Sequence, residues 1–566
     1  MVPMNALSKK IKTGLIATGA VVALLFVVWG PVIDESVPVD DSLILSPPDS
    51  VPQRLATRSP RFPVTENDID LHVSYSGWNT AKQERVSHLA IYKKAIAMIN
   101  RAQRYIVASV FLFDCMYSGT EPPFDLVAQF TDLLIAKKQA DTTITIAVML
   151  DPLNKAYADR ISESVQRFVE NGIDVFYSDL LTLKAADKTK IFETLHEMER
   201  ADNFFSRKIL GTLASDIGNI KIPFVRMKLD NADITFKTAV NAALLKANHR
   251  KLLVTDCDST YETLVSSANP HNASLPSTNF AISAKGDVAR YVYGVIREDI
   301  RQSISLGGDF TLWSRSDDAY KQSYLDSRLP NLPVKYDSTI NDSIVVSFIT
   351  ENRIRQQVID MLDRASGDDE IRIQMFYLSN FPVINAILNA AGRVKKPVRL
   401  LLDPNKDAFN NIKDGTPNRQ VAWYLLKQVK KSKPPLHIEI RWYSTHGEQN
   451  HAKIMSITNS QTGKYEIITG SCNWTRKNMA NINMESNIAV CGSRKLNSRF
   501  NELFDRFWTN SGKDMEYSVA WDDPRFEYNK HAGLKKWSKQ KRYFGLIPVR
   551  NESGRVIREE AVYVTW

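Results

Sequence analysis

The stretch Asn450–Trp474, NHAKIMSITNSQTGKYEIITGSCNW, places a histidine and a lysine two positions apart and ends on Gly-Ser-Cys-Asn-Trp. The runs AKIMSIT and YEIITGS predict two β-strands joined by the polar turn NSQTGK. Alternate residues of a strand point to the same face, so His451 and Lys453 share one side, as do Ser471 and Asn473 in the neighbouring segment. The four side chains suit a phosphate, although a single copy of the pattern is more typical of a polar strand edge.

A second copy of the pattern lies about two hundred residues earlier. NHRKLLVTD, Asn248 to Asp256, is followed by SSAN, Ser266 to Asn269, at nearly the same offset. Other segments repeat in the same order: AVMLDPLNKAYAD resembles LLLDPNKDAFN, and RYIVASVFLFD resembles EIRIQMFYLSN. The last pair follow AIYKKAIAMINRA and IRQQVIDMLDRA, which have helical spacing. This repetition predicts a duplicated α/β unit.

The pattern H-x-K-x4-D followed by G-S-x-N, present twice, resembles that of the phospholipase D superfamily over roughly residues 85–515. The resemblance implies two similar α/β sandwich lobes related by a pseudo-two-fold axis, with one H-x-K from each lobe in a single active site. It implies that one imidazole attacks phosphorus and the other acts as acid and base. The family includes phospholipases, cardiolipin and phosphatidylserine synthases, nucleases and inactive members, so the motif predicts the chemistry and leaves the substrate open.

The resemblance assigns roles to ten positions. The predicted catalytic residues are His249, Lys251, Asp256, His451, Lys453 and Glu485, and the predicted phosphate ligands are Ser267, Asn269, Ser471 and Asn473. We expect no cofactor and no metal, because the sequence has none of the Cys/His or clustered carboxylate spacings of metal sites.

The two copies differ in their acidic residues. Asp256 follows His249 at the position that Thr458 occupies in the second copy. Glu485, in NMESNIAV, falls where the family has an acid that orients an imidazole, and aligning NFAI with NIAV places Ser277 opposite it. Each copy is thus predicted to keep a different carboxylate. By family analogy His249 is favoured as the nucleophile and His451 as the acid and base.

The amino terminus contains an apolar run of membrane-spanning length. Gly14 to Ile33 is uncharged, and a helix of about 20 residues spans about 30 Å, the thickness of a bilayer core. Three lysines precede the run and acidic residues follow it, which predicts a cytoplasmic amino terminus and an extracytoplasmic catalytic region. We expect a single-pass anchor in the plasma membrane, with the lobes in the periplasm if the source is Gram-negative; a cleavable signal peptide is the alternative.

The predicted organisation has six parts. These are a cytoplasmic amino terminus (1–13), a transmembrane anchor (14–33), a Pro-rich linker (34–67), a first lobe (68–325, with an insertion at about 181–236), a second lobe (326–515) and a basic-aromatic extension (516–566). The insertion is a candidate lid or lipid-facing surface, or else a plain helical decoration. The extension has the composition of a segment that contacts anionic headgroups or nucleic acid, or of a solvated helix.

Composition is consistent with an anionic partner. The formal charge of +10 and the pI near 9.1 fit phospholipid headgroups and nucleic acid alike. Four cysteines (115, 257, 472 and 491) are too few for a disulfide scaffold. The sequence therefore predicts a membrane-anchored phosphodiesterase or phosphatidyltransferase acting on glycerophospholipids. A membrane-tethered nuclease is the alternative, and an inactive scaffold is disfavoured because both His, both Lys and both Asn are present. The headgroup, the acceptor (water or alcohol) and the oligomeric state are left open.

Overall fold

The computed structural model describes only part of the chain. The described residues are 57–113, 125–151, 153–156, 162–178, 180, 247–305, 323, 325–335, 344–408, 411–412, 415, 417–434, 436–481, 483–526, 546–550 and 556–561. The predicted anchor, the insertion, Cys115 and most of the predicted linker lie outside this part. Within it, no helix combines the length and the apolar character needed to cross a bilayer.

The described residues form a mixed α/β structure. The strands are β1 (Phe62–Val64), β2 (Ile69–Asn79), β3 (Glu84–Leu89), β4 (Tyr105–Val110), β5 (Thr145–Leu150), β6 (Asp174–Tyr177), β7 (Lys251–Cys257), β8 (Thr260–Ser266), β9 (Asn279–Lys285), β10 (Ile344–Thr350), β11 (Glu370–Met375), β12 (Val398–Leu402), β13 (Asp407–Ala408), β14 (Asn411–Ile412), β15 (Ile438–Tyr443), β16 (Lys453–Asn459), β17 (Lys464–Gly470), β18 (Ser486–Cys491), β19 (Met515–Glu516), β20 (Ser518–Ala520), β21 (Leu546–Arg550) and β22 (Val556–Ala561). The helices are α1 (Ala90–Arg101), α2 (Leu126–Ala140), α3 (Leu153–Ala156), α4 (Glu163–Glu170), α5 (Asp287–Ser305), α6 (Asn352–Asp363), α7 (Phe381–Ala391), α8 (Asn418–Lys431), α9 (Arg476–Met479) and α10 (Arg494–Thr509).

Two large sheets carry the duplication that the sequence predicts. The first-lobe sheet has the order β19-β2-β9-β8-β7-β4-β5-β6, with β3 also paired to β2. The second-lobe sheet has the order β1-β10-β18-β17-β16-β11-β12-β15-β20. Seven consecutive strands therefore repeat, since β2-β9-β8-β7-β4-β5-β6 matches β10-β18-β17-β16-β11-β12-β15. In each lobe the H-x-K strand, β7 or β16, lies at the centre of the sheet.

The ends of the lobes are exchanged between the sheets. Strand β1, from the predicted linker, pairs antiparallel with β10 of the second lobe, and Phe62 is buried there. Strand β19, from the end of the second lobe, pairs with β2 of the first, and β20 extends the second-lobe sheet. Part of the expected tether is thus a packed edge strand, a position that tolerates prolines because one side of an edge strand needs no N–H donors. These exchanges tie the two lobes together.

The lobes share one apolar core. The inner faces of both sheets contribute to it, for example Val254 and Ile282 from the first lobe and Ile454 and Ile488 from the second. Helices α1 and α2 cover the outer face of the first-lobe sheet, and α6, α7 and α8 cover that of the second. Burial on both faces explains why the central strands read as nearly continuous apolar runs.

A buried ion cluster also joins the lobes. Arg250, the middle residue of the first H-x-K, donates hydrogen bonds to Asp299 of α5 and, at 2.6 Å, to Glu351 of the second lobe. Side-chain exposure in this cluster is below 10%, so truncation of the arginine leaves two buried carboxylates without their cation. We expect Arg250→Ala to lower the free energy of unfolding by about 3–5 kcal/mol. Chemical denaturation measures this.

A matched control is Arg290→Ala on α5. Arg290 forms a partly exposed ion pair with Asp287 three residues away, for which we expect a loss of about 0–1 kcal/mol. Equal losses in the two variants would contradict the structural role of the buried cluster.

Candidate active site

Each H-x-K segment is hydrogen-bonded to the opposite lobe. The amide of His249 donates to the carbonyl of Met484 at 2.9 Å, and the amide of Thr278 donates to the carbonyl of Gln449 at 2.9 Å. Both histidines precede their strands, and their segments are held against the residues that lead into β18 and β9 of the other lobe. The sequence prediction that the two motifs lie together is consistent with this arrangement.

The two repeated Leu-Asp-Pro sequences hold these segments in place. A carboxylate oxygen of Asp151 accepts the backbone N–H of Asn248 at 2.5 Å, and Asp403 accepts that of Asn450 at 2.7 Å. Burial raises the pKa of Asp151 to about 7, although two backbone hydrogen bonds oppose the shift. The aspartates therefore fix the chain just before each histidine, which explains why both copies contain them.

Both lysines make the same contacts within their own lobe. Lys251 Nζ donates to the carbonyl of His249 at 2.6 Å, and Lys453 Nζ donates to that of His451 at 2.7 Å. Each amine is therefore held by the backbone of its own motif and has further N–H groups for a phosphate oxygen.

An aromatic ring supports each His/Lys pair. The ring of Phe111 lies 4.8 Å from that of His249 and 4.9 Å from Lys251 Nζ. Phe376 lies 4.8 Å from His451 and 5.0 Å from Lys453 Nζ. These phenylalanines were not predicted as site residues, although they occupy equivalent positions in the repeated FLF and FYL segments.

The two imidazoles have different partners across the lobe interface. His249 Nδ1 lies 3.0 Å from the carboxylate of Glu485, whereas His451 Nδ1 lies 2.9 Å from the amide oxygen Oδ1 of Asn279. Both contacts place an oxygen acceptor on Nδ1, so each Nδ1 carries the proton and each Nε2 is left for chemistry. One histidine is thus paired with an anion and the other with a neutral dipole.

The structure corrects the alignment that placed Ser277 opposite Glu485. Ser267 N donates to the carbonyl of Phe280, and Ser471 N donates to that of Ser486, so Asn279 is the counterpart of Glu485. The loop from Asn473 to Glu485 is two residues longer than that from Asn269 to Asn279. Matching NFAI to NIAV ignored this difference and shifted the strands by two positions. Asn279 is a candidate site residue that was not predicted from the sequence.

The two serines predicted as phosphate ligands bond to the orienting residues. Ser267 Oγ donates to Asn279 Oδ1 at 2.9 Å, and Ser471 Oγ donates to the carboxylate of Glu485. Each hydroxyl also accepts the backbone N–H that follows its partner, at 3.0 and 2.9 Å. Their role in this arrangement is to fix Asn279 and Glu485.

The two asparagines of the small-x-Asn motifs have a free polar end. Asn269 and Asn473 are buried, and their amide oxygens have no hydrogen-bond partner among the described residues. Amide oxygen and nitrogen are assigned from the hydrogen-bond network, so each side chain has one end available to a ligand whichever way it is oriented.

The structure does not bring Asp256 to this group. Asp256 accepts the backbone N–H groups of residues 103–105, just before β4, and its nearest N–H···O distance is 2.8 Å to Tyr105. It lies five residues beyond Lys251 on an extended strand, so the two positions are about 17 Å apart. These contacts are those of a structural residue, and a catalytic role for Asp256 stays a prediction from its motif position.

Charge distribution at the site favours neutral imidazoles and an ionised Glu485. Burial lowers the pKa of His249 to about 4, because it outweighs the attraction of Glu485. Burial alone would raise the pKa of Glu485, but the charges of His249 and Lys251 and the bond from Ser471 outweigh it and lower the pKa to about 2. Burial also lowers the pKa of Lys251 to about 7.

The imidazole of His451 is paired with an amide, Asn279, and not with a carboxylate. Burial, followed by the charges of Lys453 and Lys251, holds the pKa of His451 well below its usual value. Two buried lysines and two imidazoles converge on one place, and an anion bound there would satisfy all of them. Among the described residues no group of His, Cys, Asp or Glu is arranged to hold a metal ion.

Comparison with known proteins gives one family match and several similar folds. Residues 358–508 match the family model described as cardiolipin synthase, PLD-like domain. The crystal structure of phosphatidylserine synthase from Haemophilus influenzae Rd KW20 is similar over 85% of this chain and 95% of that chain, with 11% sequence identity and a TM-score of 0.51. Nuc, a phospholipase D family member from Salmonella typhimurium, is similar over 31% of this chain and 98% of its own, with 17% identity and a TM-score of 0.23. No curated protein sequence matches the chain.

Proposed function

We propose that the chain is a phosphodiesterase or phosphatidyltransferase of the phospholipase D type and that its substrate is a glycerophospholipid. The observation that carries the proposal is the pairing of two H-x-K motifs in one interlobe site, with Glu485 on one imidazole and Asn279 on the other. The matched family model, whose description names cardiolipin synthase, supports a lipid rather than another phosphodiester.

We assign the nucleophile to His249. The carboxylate of Glu485 holds its Nδ1–H and stabilises the imidazolium that forms when Nε2 attacks phosphorus. The product of this step is a phosphohistidine, with the headgroup or diacylglycerol alcohol as leaving group. Lys251, Lys453, Asn269 and Asn473 would bind the non-bridging oxygens and offset the charge of the five-coordinate transition state.

We assign acid and base catalysis to His451. Its pKa is lowered partly by two neighbouring ammonium groups, and a bound phosphodiester anion would offset their charge and favour the imidazolium. His451 would then protonate the leaving alcohol and, once neutral, deprotonate the incoming water or alcohol. Water makes the enzyme a hydrolase, and a lipid alcohol makes it a synthase.

The proposed location is the outer side of the plasma membrane. The anchor Gly14–Ile33 would place the lobes beside their lipid substrate, with the amino terminus in the cytoplasm and, in a Gram-negative source, the lobes in the periplasm. A membrane-tethered nuclease is the second candidate, favoured by the net charge of +10, which suits a polyanion as well as a lipid surface.

An activity panel in detergent micelles tests the proposal. Wild-type protein would receive phosphatidylglycerol, cardiolipin and single-stranded DNA in parallel, with products resolved by mass. We expect headgroup release or cardiolipin formation, and the product identifies the acceptor. Cleaved DNA with unchanged lipid would refute the lipid assignment and establish the nuclease. The variant Asp256→Asn is a useful control, because it alters a motif position that lies outside the site and should retain the wild-type product pattern.

A further inference from the structure

An apolar cavity lies in the first lobe, between its sheet and the helices that cover its outer face. Its volume is about 90 Å³, and its walls come from α1, α2, β4, β7 and β8. Ile106 and Val110, at opposite ends of β4, both line it, so it runs along about 13 Å of that strand. Nearly all of the surface that it presents is apolar.

One end of the cavity is part of the active site. Lys251 lines the cavity and pairs with Val110 across β4 and β7, while its amine donates to the carbonyl of His249. Pro270, also in the lining, directly follows Asn269. The alkyl stem of the lysine therefore belongs to the cavity, and its charged end belongs to the phosphate site.

The second lobe is built differently at the equivalent position. Its counterpart of Pro270 is Trp474, which follows Asn473 and is 1% exposed within the second-lobe core. A large indole thus fills space beside the second motif, whereas a proline and a cavity lie beside the first. The two lobes therefore differ in side-chain size at this position, with a proline in the first and an indole in the second.

We infer that this cavity binds part of one acyl chain of the phospholipid, an inference that rests on the proposed function. An apolar cavity that excludes water binds apolar groups, and about 150 Å³ suffices for benzene. The present cavity is smaller in volume and yet follows the strand for several residues, which suits a thin alkyl chain and not a ring. With the phosphate held by Lys251, the cavity lies within reach of a chain on the glycerol of the same molecule.

Filling the cavity tests the inference. Ala95 of α1 lines the cavity, while Ala97 lies exposed on the same helix, so Ala95→Leu and Ala97→Leu make the same chemical change on opposite faces. Each variant would be assayed on dipalmitoyl phosphatidylglycerol and on bis(p-nitrophenyl) phosphate, a phosphodiester without acyl chains. Excluding two or three methylenes from an apolar site should reduce kcat/KM for the lipid about 15- to 60-fold in Ala95→Leu. We expect the chain-free diester, and both substrates of Ala97→Leu, to be unaffected.

The outcomes separate this inference from the proposed function. If wild-type protein cleaves the chain-free diester but no phospholipid, the proposed function fails. If wild-type protein processes phospholipid and Ala95→Leu does so within twofold of it, the proposed function stands and the acyl site is refuted. An equal loss on both substrates also refutes it, because the substitution would then act on the catalytic groups.

A chain-length series on wild-type protein covers the case in which Ala95→Leu does not fold. Monomeric phosphatidylglycerols with chains of four to eight carbons would be compared below their micelle concentrations. We expect kcat/KM to rise by about fourfold for each methylene that enters the cavity and then to level off. A flat series would overturn the inference.

Discussion

His249→Ala is expected to abolish turnover, and His451→Ala is expected to stop it after the first half-reaction. Removing a nucleophile that acts with a positioned base costs roughly 10⁴-fold or more in kcat. Removing an acid-base group costs about 10²- to 10⁴-fold. The two losses overlap in size, so rate alone cannot assign the roles. The choice of leaving group can assign them, because an alcohol leaves only with the proton of His451, whereas p-nitrophenol leaves without it.

A burst experiment separates the two histidines. With a phosphatidyl-p-nitrophenol substrate, His451→Ala should release one equivalent of p-nitrophenol per active site and retain a phosphohistidine on His249. The alkaline stability and acid lability of the trapped adduct, followed by peptide mass mapping, locate it. His249→Ala should give no burst. The exposed His437 supplies the control His437→Ala, which should match wild type. A burst in His249→Ala, with none in His451→Ala, would reverse the assignment.

The residues that alternate along strands were predictable from the sequence. His249 and Lys251, like His451 and Lys453, occur at strand starts where spacing alone decides which face they share. The match in strand order between the two sheets also follows from the repeated segments, because two copies of one α/β unit have the same connections. Recognition of the repeat thus predicted most of the architecture and both His/Lys pairs.

The contacts between the lobes were not predictable in this way. Glu485 and His249 are 236 positions apart, and no local pattern states that the acid of one copy serves the histidine of the other. Asn279 was missed because the loop before it is shorter than its counterpart, which hid the correct register. The place of Asp256 was not predictable either, because its motif position does not show that three backbone N–H groups hold its carboxylate.

Because His249 is paired with a carboxylate and His451 with an amide, the second large loss of activity is expected in Glu485→Gln. This substitution preserves the side-chain shape and removes the anion that stabilises the imidazolium of His249 during attack. In a comparable arrangement, replacing the orienting carboxylate by its amide lowers kcat by about 10⁴-fold. We expect a loss of about 10²- to 10⁴-fold in kcat here, measured on phosphatidylglycerol in micelles.

For Asn279→Ala we expect a loss of about 10- to 100-fold in kcat in the same assay, since a neutral dipole contributes less to orientation.

The pH profile distinguishes this electrostatic role from simple damage to the fold. His249 must be neutral to attack, so kcat/KM should fall as pH drops through its pKa of about 4. Glu485 raises that pKa by favouring the imidazolium, and its removal in Glu485→Gln should therefore move the acidic limb to lower pH while reducing the plateau.

Asn279→Asp should act in the opposite direction on the other histidine. A new carboxylate beside His451 raises the pKa of that imidazole, which moves the alkaline limb to higher pH. A lowered plateau with both limbs unmoved would contradict the assigned roles, because loss of folded enzyme reduces the rate equally at every pH.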